Sequence, residues 1–379
     1  MRACGLDIHK DSVFVCIITE EGEIFHGKYG VLTPELESLL SFLKSKDVTD
    51  VCMESTSVYW IPVWNVLESG PFNLKLVNPY FIRQLPGRKS DVKDAEWIAT
   101  CLMKDLVKGS YVPDTAVRRL RQYNRMISDL NGEISRKLVK LDACLQRCNI
   151  RLSNYVSNTS TKSYRAVATA LGNGETDPEK LIVHIHRRTV NRVGRQTLLD
   201  SLTGVVSEVD CDVIRMYVEE VELATRHLKE CQDKMTGLCK AHFKKQYGNL
   251  KTVPGISDRS ATAIIAEVGA DVNAFGTPSA LVSWAGLRPR NDESAGKIKS
   301  RRITHGNKYL RKSMVECAWA ASKMQGCFFN RFSYIQVTVR HKNRMKVQVA
   351  IARKLLVVVW HILHEGVAYK EFLDHKEAA

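Results

Sequence analysis

Four carboxylates are the residues of this sequence whose types and spacing point most directly to chemistry. Asp7 ends an apolar stretch at residues 3–8, Glu54 ends another at 51–54, and Asp91 and Asp94 open a helix-like segment. Acids at strand ends are costly to bury unless something pairs with them, and acids three apart on a helix share a face. Together the four could hold two hard cations, which prefer oxygen ligands and can clamp a phosphodiester during in-line displacement.

Ser294 is a second candidate, because it lies on a small-residue loop inside a dense run of cations. These cations would offset phosphate charge in a pentacoordinate transition state. An exposed serine could then attack phosphorus if a metal or a base lowers the cost of its deprotonation. From spacing alone, a loop that only binds phosphate is the commoner interpretation. The cations for which we predict nucleic-acid contacts are Arg288, Arg290, Lys297, Lys299, Arg301, Arg302, Lys308 and Arg311.

A Pro-Gly pair upstream of this loop has a pattern close to a helix-hairpin-helix. Pro254 and Gly255 precede a helical segment of small and apolar residues at 261–269. Backbone N–H groups at such a hairpin can grip a phosphate without reading sequence, so we predict that both residues contact nucleic acid. An ordinary tight turn between helices is the alternative, because short motifs are weakly specific.

The charge and the cysteines narrow the class of partner and the compartment. The 379 residues carry 56 Lys and Arg against 41 Asp and Glu, a net charge of +15, which favours a polyanionic partner such as nucleic acid. The 11 cysteines include no CxxC pair, so we interpret them as small core residues in a reducing cytosol. The N-terminus has no signal-peptide pattern. The most apolar segment, 355–363, is too short to span a bilayer and predicts a buried helix, so we expect no membrane partner.

The elements that must position the acids follow from hydrophobic periodicity in the first 110 residues. Strands are predicted at 3–8, 13–19, 23–29, 48–54 and 74–77, and helices at 34–46, 59–69 and 91–106. Three strands in a meander followed by strand–helix alternation is the order of an RNase H-like fold. In such a mixed sheet the ends of the first and fourth strands can be neighbours, which would bring Asp7 close to Glu54.

The remainder of the chain predicts mostly helices. Residues 117–150 carry apolar residues at intervals of three and four, close to a heptad pattern, and 205–243 form a second long helix. These two would pair as an antiparallel coiled-coil arm with small helices at its tip, 153–204. We therefore predict an α/β domain at 1–112, a coiled-coil arm at 113–246 and a mostly helical C-terminal domain at 247–379, which holds the Pro-Gly turn and the serine loop.

Short blocks at both ends of the chain resemble a known family, the DEDD transposases of insertion-sequence family one-ten. The N-terminal blocks are residues 5–10 (GLDIHK), 53–56 (MEST) and 89–95 (KSDVKDA). The blocks similar to the family's C-terminal transposase domain are residues 253–256 (VPGI), 286–289 (GLRP), 294–297 (SAGK) and 305–311 (HGNKYLR). Each block is short, but the ordered set is specific. The middle arm matches only in its helical character.

The resemblance implies a RuvC-like domain in which Asp7, Glu54, Asp91 and Asp94 bind magnesium. It also implies that Ser294 is a nucleophile that forms a transient phosphoserine bond with DNA. Recombinases of this family are guided by a structured bridge RNA that pairs with target and donor DNA. A similar chain would work as a homotetramer in the prokaryotic cytoplasm, at the nucleoid, with each active site completed by two protomers. One departure is Ala295, where the family's usual stretch is Ser-Gly-Gly-Lys; alanine is small enough to keep the loop.

Three other functions are compatible with parts of this pattern. A metal-dependent junction nuclease would keep the four acids and use water in place of Ser294. An actin-like ATPase or sugar kinase can open with the same Gly-Leu-Asp, but it needs Gly-rich phosphate turns and a second matching half, and the sequence shows neither. A non-catalytic nucleic-acid adaptor would tolerate loss of the acids.

Overall fold

The computed structural model describes residues 1–79, 91–289, 292–294, 297–300 and 302–370; for 91, 92, 292–294, 297 and 298 it describes the backbone alone. Two compact units divide the chain, Met1–Val112 and Pro113–Ala379. The division falls where a sheet-forming sequence gives way to long helices.

Alternating apolar residues in the first unit form the strands β1 (Ala3–Ile8), β2 (Val13–Ile18), β3 (Ile24–Tyr29), β4 (Asp50–Glu54) and β5 (Asn73–Val77). Within the described residues they make a five-stranded sheet in the order β3-β2-β1-β4-β5. The first three strands form an antiparallel meander, whereas β4 lies parallel to both β1 and β5. The predicted mixed α/β domain is therefore confirmed, and its strand order is compatible with an RNase H-like fold.

Helices cover both faces of this sheet. Helices α1 (Thr33–Ser45) and α2 (Trp60–Leu67) share a core with Leu6 of β1 and Met53 of β4. Helix α3 (Asp91–Met103) lies on the opposite face, in a smaller core that includes Ala3 and Cys52. Because successive side chains of a strand point to opposite faces, odd-numbered residues of β1 face α3 and even-numbered ones face α1 and α2.

Two long helices dominate the second unit, α4 (Thr115–Arg147) and α9 (Glu208–His242). They run antiparallel, since Arg147 Nη2 lies 2.8 Å from Asp210 Oδ1, and Lys137 Nζ lies 2.5 Å from Glu220 Oε2. The structure thus shows the predicted helix pair, and the supercoil of a coiled coil stays a prediction. Between the two helices come α5 (Lys162–Gly172), α6 (Pro178–Leu181), α7 (Arg187–Val193) and α8 (Arg195–Leu202). These short helices share a core with the distal end of the pair.

The last third of the chain packs around the other end of this pair. Its elements are α10 (Lys244–Leu250), α11 (Asp258–Val268), α12 (Pro278–Trp284), β6 (Asp292–Ser294), β7 (Lys297–Ser300), α13 (Lys308–Ala321), α14 (Phe328–Tyr334) and α15 (Arg344–Glu365). One hydrophobic core joins these helices to Val117 and Leu120 of α4 and Met235 of α9. Because this core contains residues from both sides of 246–247, the domain boundary predicted there stays a prediction.

Helix α15 is long and apolar enough to cross a membrane, judged by length and composition alone. The sequence argument against a membrane span used the length of 355–363; that length was too short a measure, because the helix extends back to Arg344 and has 22 residues. Burial supports the core interpretation: 56% of its most apolar window is buried. Leu355, Leu356 and Val359 are fully buried in the core of the second unit. The predicted buried C-terminal helix is thus observed.

Candidate active site

The acids of the first unit lie at the carboxyl ends of two neighbouring strands. The parallel pairing of β1 with β4 sets Gly5 beside Cys52 and Leu6 beside Met53. The next step of that register sets Asp7 beside Glu54. Because side chains alternate between faces, both carboxylates share the face of Gly5 and Cys52, which is the face covered by α3. The predicted proximity of the two strand ends is therefore observed.

Gly5 explains how α3 comes close enough to this face to bring its acids toward the strands. A Cβ at this position would overlap the carbonyl oxygen of Ala95 and the amide nitrogen of Ala99. The backbone of the helix therefore lies directly on β1, which only glycine permits. Helix residues 98, 101 and 102 pack with Ala3 at the start of β1, so the opening turn, with the half-buried Asp94, extends toward the end that carries Asp7.

Polar neighbours hold the two strand-end carboxylates. The Asp7 side chain is only 14% exposed, and its Oδ2 lies 3.1 Å from Nε2 of His9. Thr56 Oγ1 donates to Glu54 Oε2 at 3.5 Å. A largely buried carboxylate requires such partners or a cation, because an isolated buried charge is costly. His9 is therefore a direct neighbour of the candidate site.

Cysteines of the sheet offer no competing metal ligand. Burial raises the pKa of Cys16 to about 12, and burial likewise raises the pKa of Cys52 to about 12, so both thiols stay protonated at neutral pH. Metals bind the thiolate rather than the thiol. All cysteines are free, and Cys4, Cys16, Cys52 and Cys101 are buried, as predicted for small core residues.

The fit of these acids to a metal rests on their chemistry. Asp7, Glu54 and Asp94 supply the hard oxygen donors that Mg²⁺ prefers. Within the described ranges, no three His, Cys, Asp or Glu residues form a group that could hold a metal ion. The side chain of Asp91 lies outside the described atoms. The acids therefore converge on one end of the sheet without forming a preassembled cage there.

Ser294 lies at the end of a small β-hairpin in the second unit. Strands β6 and β7 pair antiparallel, and Ser294 is the cross-strand partner of Lys297. Below them, Pro289 and Ile303 form an antiparallel bridge, and the Thr304 amide donates to the Arg288 carbonyl at 3.0 Å. The hairpin therefore presents a serine and a lysine at neighbouring backbone positions.

Two glycines bring the chain segments at the base of this hairpin into close contact. Gly286 has φ of 71°, and a Cβ there would lie 2.8 Å from the Thr304 carbonyl oxygen. A Cβ on Gly306 would overlap the backbone nitrogen of Gly286 and lie 2.6 Å from the Trp284 carbonyl oxygen. The Asn307 amide donates to the same Trp284 carbonyl at 3.0 Å. These contacts fix where the two hairpin strands leave the helical core.

A buried carboxylate that the sequence interpretation missed supports this base. Glu267, near the end of α11, has a side chain with no exposed surface. Asn124 Nδ2 donates to its Oε1 at 2.9 Å, and Asn307 Nδ2 donates to its Oε2 at 2.7 Å. Arg121 Nε lies 3.9 Å from the same Oε2. Glu267 thus ties α4 to the segment that anchors the serine hairpin, and its only sequence signal is a single charged residue in the otherwise uncharged stretch 260–268.

The predicted nucleic-acid contacts fall into three groups. Arg288, Lys299, Arg302 and Lys308 are exposed around the hairpin. Arg311 is half-buried and donates from Nη1 to the Thr304 carbonyl at 3.3 Å, so it also braces the hairpin base. Three residues cannot be placed by their side chains: Arg290 and Arg301 lie outside the described residues, and only the backbone of Lys297 is described.

The Pro-Gly turn packs against the core. Gly255 has φ of 84°, and a Cβ there would overlap the Cys317 carbonyl oxygen and lie 2.7 Å from the Ala321 nitrogen. This close approach to α13 explains the glycine structurally, so the phosphate contacts predicted for Pro254 and Gly255 stay predictions. A groove of about 600 Å³ beside the turn is lined by both signs of charge, including Lys240, Lys312, Asp233 and Glu316.

Comparison with known proteins places both candidate regions in one family. A family model described as Transposase, of the DEDD type in IS110 elements, matches residues 4–150, which contain all four acids. A second, described as Transposase IS116/IS110/IS902 family, matches residues 247–333, which contain Ser294. The two matches together cover more than half of the chain.

Two relatives show the same affiliation. A protein named "Insertion element IS110 uncharacterized 43.6 kDa protein" from Streptomyces coelicolor is 28% identical over 122 residues, 32% of this chain and 29% of that protein. A "Putative transposase y4pF/y4sB" from Sinorhizobium fredii is 24% identical over 169 residues, 43% of this chain and 42% of that protein. The chain thus spans less than half the length of either relative. From the ordered matches at its two ends, the chain belongs to the IS110 family of DEDD transposases.

Proposed function

We propose that this protein is the transposase of an insertion sequence and cleaves and exchanges DNA strands through a covalent bond between Ser294 and a DNA phosphate. One observation carries the proposal: a single chain combines two carboxylates at neighbouring strand ends, Asp7 and Glu54, with a serine on a hairpin that exposed cations surround. Neither part alone requires the other. A water-using nuclease needs only the acids, whereas a phosphate-binding loop needs only the cations.

In this reaction the carboxylates bind magnesium. The ions would be held by Asp7, Glu54, Asp91 and Asp94. When bound, they would neutralise phosphate charge. Asp7 and Glu54 lie at neighbouring strand ends, so the first unit's own contribution is a pair of oxygen donors on one face of the sheet, toward which α3 brings its acids. His9, 3.1 Å from Asp7, keeps the orientation of that carboxylate.

Ser294 then exchanges one phosphoester bond for another. Its Oγ attacks phosphorus, the bond between phosphorus and one backbone oxygen breaks, and the serine proton passes to the leaving oxygen as a hydroxyl. A hydroxyl of a second strand reverses the step and takes over the phosphate. Because the number of phosphoester bonds is conserved, strand exchange needs no external energy source, whereas hydrolysis would leave an open break.

The exposed cations of the hairpin bind the DNA backbone. Arg288, Lys299, Arg302 and Lys308 offer positive charge around the serine. Contacts of this kind give affinity that falls steeply with salt and carries no sequence information. We propose that a structured guide RNA supplies the sequence choice by pairing with target and donor DNA, since base pairing can take over recognition from the protein.

We also propose that the working form is a homotetramer, acting at the nucleoid in the prokaryotic cytoplasm. In it, the acids of one protomer and Ser294 of another complete each site. The location of the acids and the serine in separate compact units supports this division of labour.

A reconstituted strand-exchange assay tests the proposal. Protein purified with its bound RNA is incubated with labelled target and donor DNA and Mg²⁺, and the products are resolved under denaturing conditions. We expect a protein–DNA adduct in the wild type, and no adduct and no exchange with Ser294→Ala. Cleavage that persists in Ser294→Ala without any adduct would favour the junction nuclease. Strand exchange by protein from which the RNA has been removed would disprove the proposed guidance by RNA.

A further inference from the structure

Beyond the second matched region, the chain contains a surface with a pronounced charge bias. Between Glu316 and Glu365 the sequence has no Asp or Glu but eight Lys and Arg. Half of these cations fall within seven residues, Arg340, Lys342, Arg344 and Lys346, with His341 between them. The family match ends at residue 333, so this segment is outside what the comparison assigns.

The cations lie on an ordered turn, which we call the basic turn, residues 338–346. It connects a π-helical segment, Ile335–Val339, to the start of α15. The amide of Arg340 donates to the Ile335 carbonyl and that of Lys342 to the Gln336 carbonyl, each at 2.9 Å. The Asn343 side chain accepts from the Met345 and Lys346 amides. All nine residues of the turn are exposed, so a fixed backbone presents the cations to solvent.

Nothing in the described part of the chain neutralises these charges. None of Arg340, Lys342, Arg344 and Lys346 makes an ion pair with a described carboxylate, and the sequence around them supplies no acid. Like charges held close together repel one another and raise the affinity for a polyanion. A long polyanion with regularly spaced phosphates fits a row of cations of this kind.

Aromatic and apolar groups accompany the cations. The Arg344 guanidinium lies over the Trp319 ring, 5.1 Å from its centroid. Tyr334, which ends α14 just before the π-helical segment, is 60% exposed, and Val339 and Met345 on the turn are exposed as well. A duplex keeps its base faces stacked inside and offers such groups sugar, phosphate and base edges. An unpaired strand offers free base faces, which stack on aromatic rings and on guanidinium planes.

From this combination, we propose that the basic turn, with Tyr334 and Trp319, is a binding surface for single-stranded nucleic acid. It holds the backbone through Arg340, Lys342 and Lys346 and stacks unpaired bases on the exposed Tyr334 ring and on the Arg344 guanidinium, which covers the half-buried Trp319. The inference rests on the proposed action on nucleic acid, and it adds a site for strands opened during that action that does not depend on the serine hairpin.

The test compares two full-length triple variants that lose the same charge. One is Arg340→Gln, Lys342→Gln and Lys346→Gln; the matched control is Lys44→Gln, Lys104→Gln and Lys108→Gln, which are exposed cations of the first unit. Fluorescence anisotropy measures binding of labelled oligo-dT, oligo-U and a duplex of equal length, about 20 nucleotides each, over a range of salt. Arg344 is left in place, so its contact with Trp319 is kept.

We expect the turn variant to lower the slope of log K against log salt by about 2 for the single strands, since each lost phosphate contact is worth roughly 0.7. Its affinity at ~0.1 M salt should fall about 10- to 100-fold, while the control changes little. The single variant Tyr334→Ala should weaken single-strand binding more than duplex binding.

Two results would overturn this inference: equal binding by the turn variant and the control, or an equal loss for duplex and single strands. The outcome is separable from that of the proposed function, because binding is measured without cleavage. If the turn variant lowers the salt slope and its control does not, while the wild type forms no adduct, the basic turn stands and the serine chemistry fails. If the adduct forms but the turn variant has the same salt slope as the wild type, the serine chemistry stands and the basic turn fails.

Discussion

At the scale of single residues, Gly5 does more for the candidate site than its lack of a side chain suggests. Its missing Cβ allows α3 to lie directly on β1, and that contact carries Asp91 and Asp94 toward the sheet end that holds Asp7. A glycine two residues before a strand-end acid is thus a requirement of helix packing. It fixes the depth at which the helix sits, and with it the height of the helix acids above the strands.

Gly5→Ala should therefore be strongly destabilising. The added methyl group would overlap the backbone atoms of Ala95 and Ala99, which cannot move aside as a side chain can. We expect a loss of about 2–4 kcal/mol in the free energy of unfolding, as for severe overpacking, measured by urea denaturation. Gly27→Ala on β3 is the control, because there a Cβ would meet the flexible ring of Tyr29 at 3.2 Å. Equal stability of the two variants would disprove the role of Gly5.

Glu267 is the second residue whose substitution should strongly lower the stability of the fold, although little in the local sequence marks it out. Glu267→Leu would leave the amides of Asn124 and Asn307 buried without their acceptor, which should cost about 2–4 kcal/mol of stability. Glu267→Gln should cost less, since an amide oxygen still accepts from Asn307 and the Asn124 amide can turn to accept. Thermal and urea denaturation measure both, with the exposed Glu222→Leu as the control. A Leu variant as stable as the Gln variant would contradict this network.

At the scale of elements, the serine hairpin depends on the segments that anchor it. The strands β6 and β7 have three and four residues, and an isolated two-stranded hairpin has little stability of its own. Their position is set instead by the close contact of Gly286 with Gly306, the Arg288–Thr304 hydrogen bond and the Glu267–Asn307 pair. The position of Ser294 is therefore determined by the helices that anchor the hairpin, α11, α12 and α13.

Gly306→Ala tests this dependence. A Cβ at 306 would meet only backbone atoms, of Gly286, Trp284 and Ala285, so the base of the hairpin must shift. A displacement of about 1 Å at a reacting group can cost roughly 100-fold in rate, so adduct formation should fall by about that factor. Circular dichroism should show the helices retained. Gly276→Ala, where an added Cβ has open space, should behave as the wild type. An unchanged adduct rate in Gly306→Ala would show that the hairpin base does not position the serine.

Features of the fold that depend on local sequence patterns could be predicted, whereas features that depend on contacts between residues distant in the sequence could not. The strands and the acids at their ends were predictable, because alternation and an acid at the end of an apolar run are local signals. Gly5 beneath Ala95 and Ala99, and Glu267 between Asn124 and Asn307, were missed because their partners lie tens of residues or more away. The full length of helix α15 was not predicted, because Arg353 and Lys354 interrupt its apolar run although they lie on its more exposed side.

At the scale of the whole molecule, the residues of the two proposed kinds of chemistry lie in two compact units. The first unit contributes the carboxylates and the second the serine, the helix pair and the basic surfaces. The net charge of +15 fits the proposed binding of nucleic-acid strands. Under the proposed division between protomers, neither unit is sufficient alone.

Mixing two inactive variants tests that division. Asp7→Asn should abolish exchange by weakening the acid cluster, and Ser294→Ala should abolish it by removing the nucleophile. If the acids and the serine of one site come from different protomers, co-expressed mixtures should regain part of the wild-type rate, because some sites combine two intact halves. A mixture as inactive as its components would indicate that each protomer builds its own site.

The central claim is that Ser294 becomes covalently bound to DNA phosphate, and peptide mapping of the trapped adduct tests it most directly. The wild-type protein is incubated with DNA, guide RNA and Mg²⁺, denatured, digested with nuclease and protease, and analysed by mass spectrometry. We predict a nucleotide phosphate on the peptide that contains Ser294, absent when Mg²⁺ is chelated and absent in Asp7→Asn. DNA strands that are cut and rejoined while the peptide stays unmodified, or a phosphate attached to another residue, would contradict it.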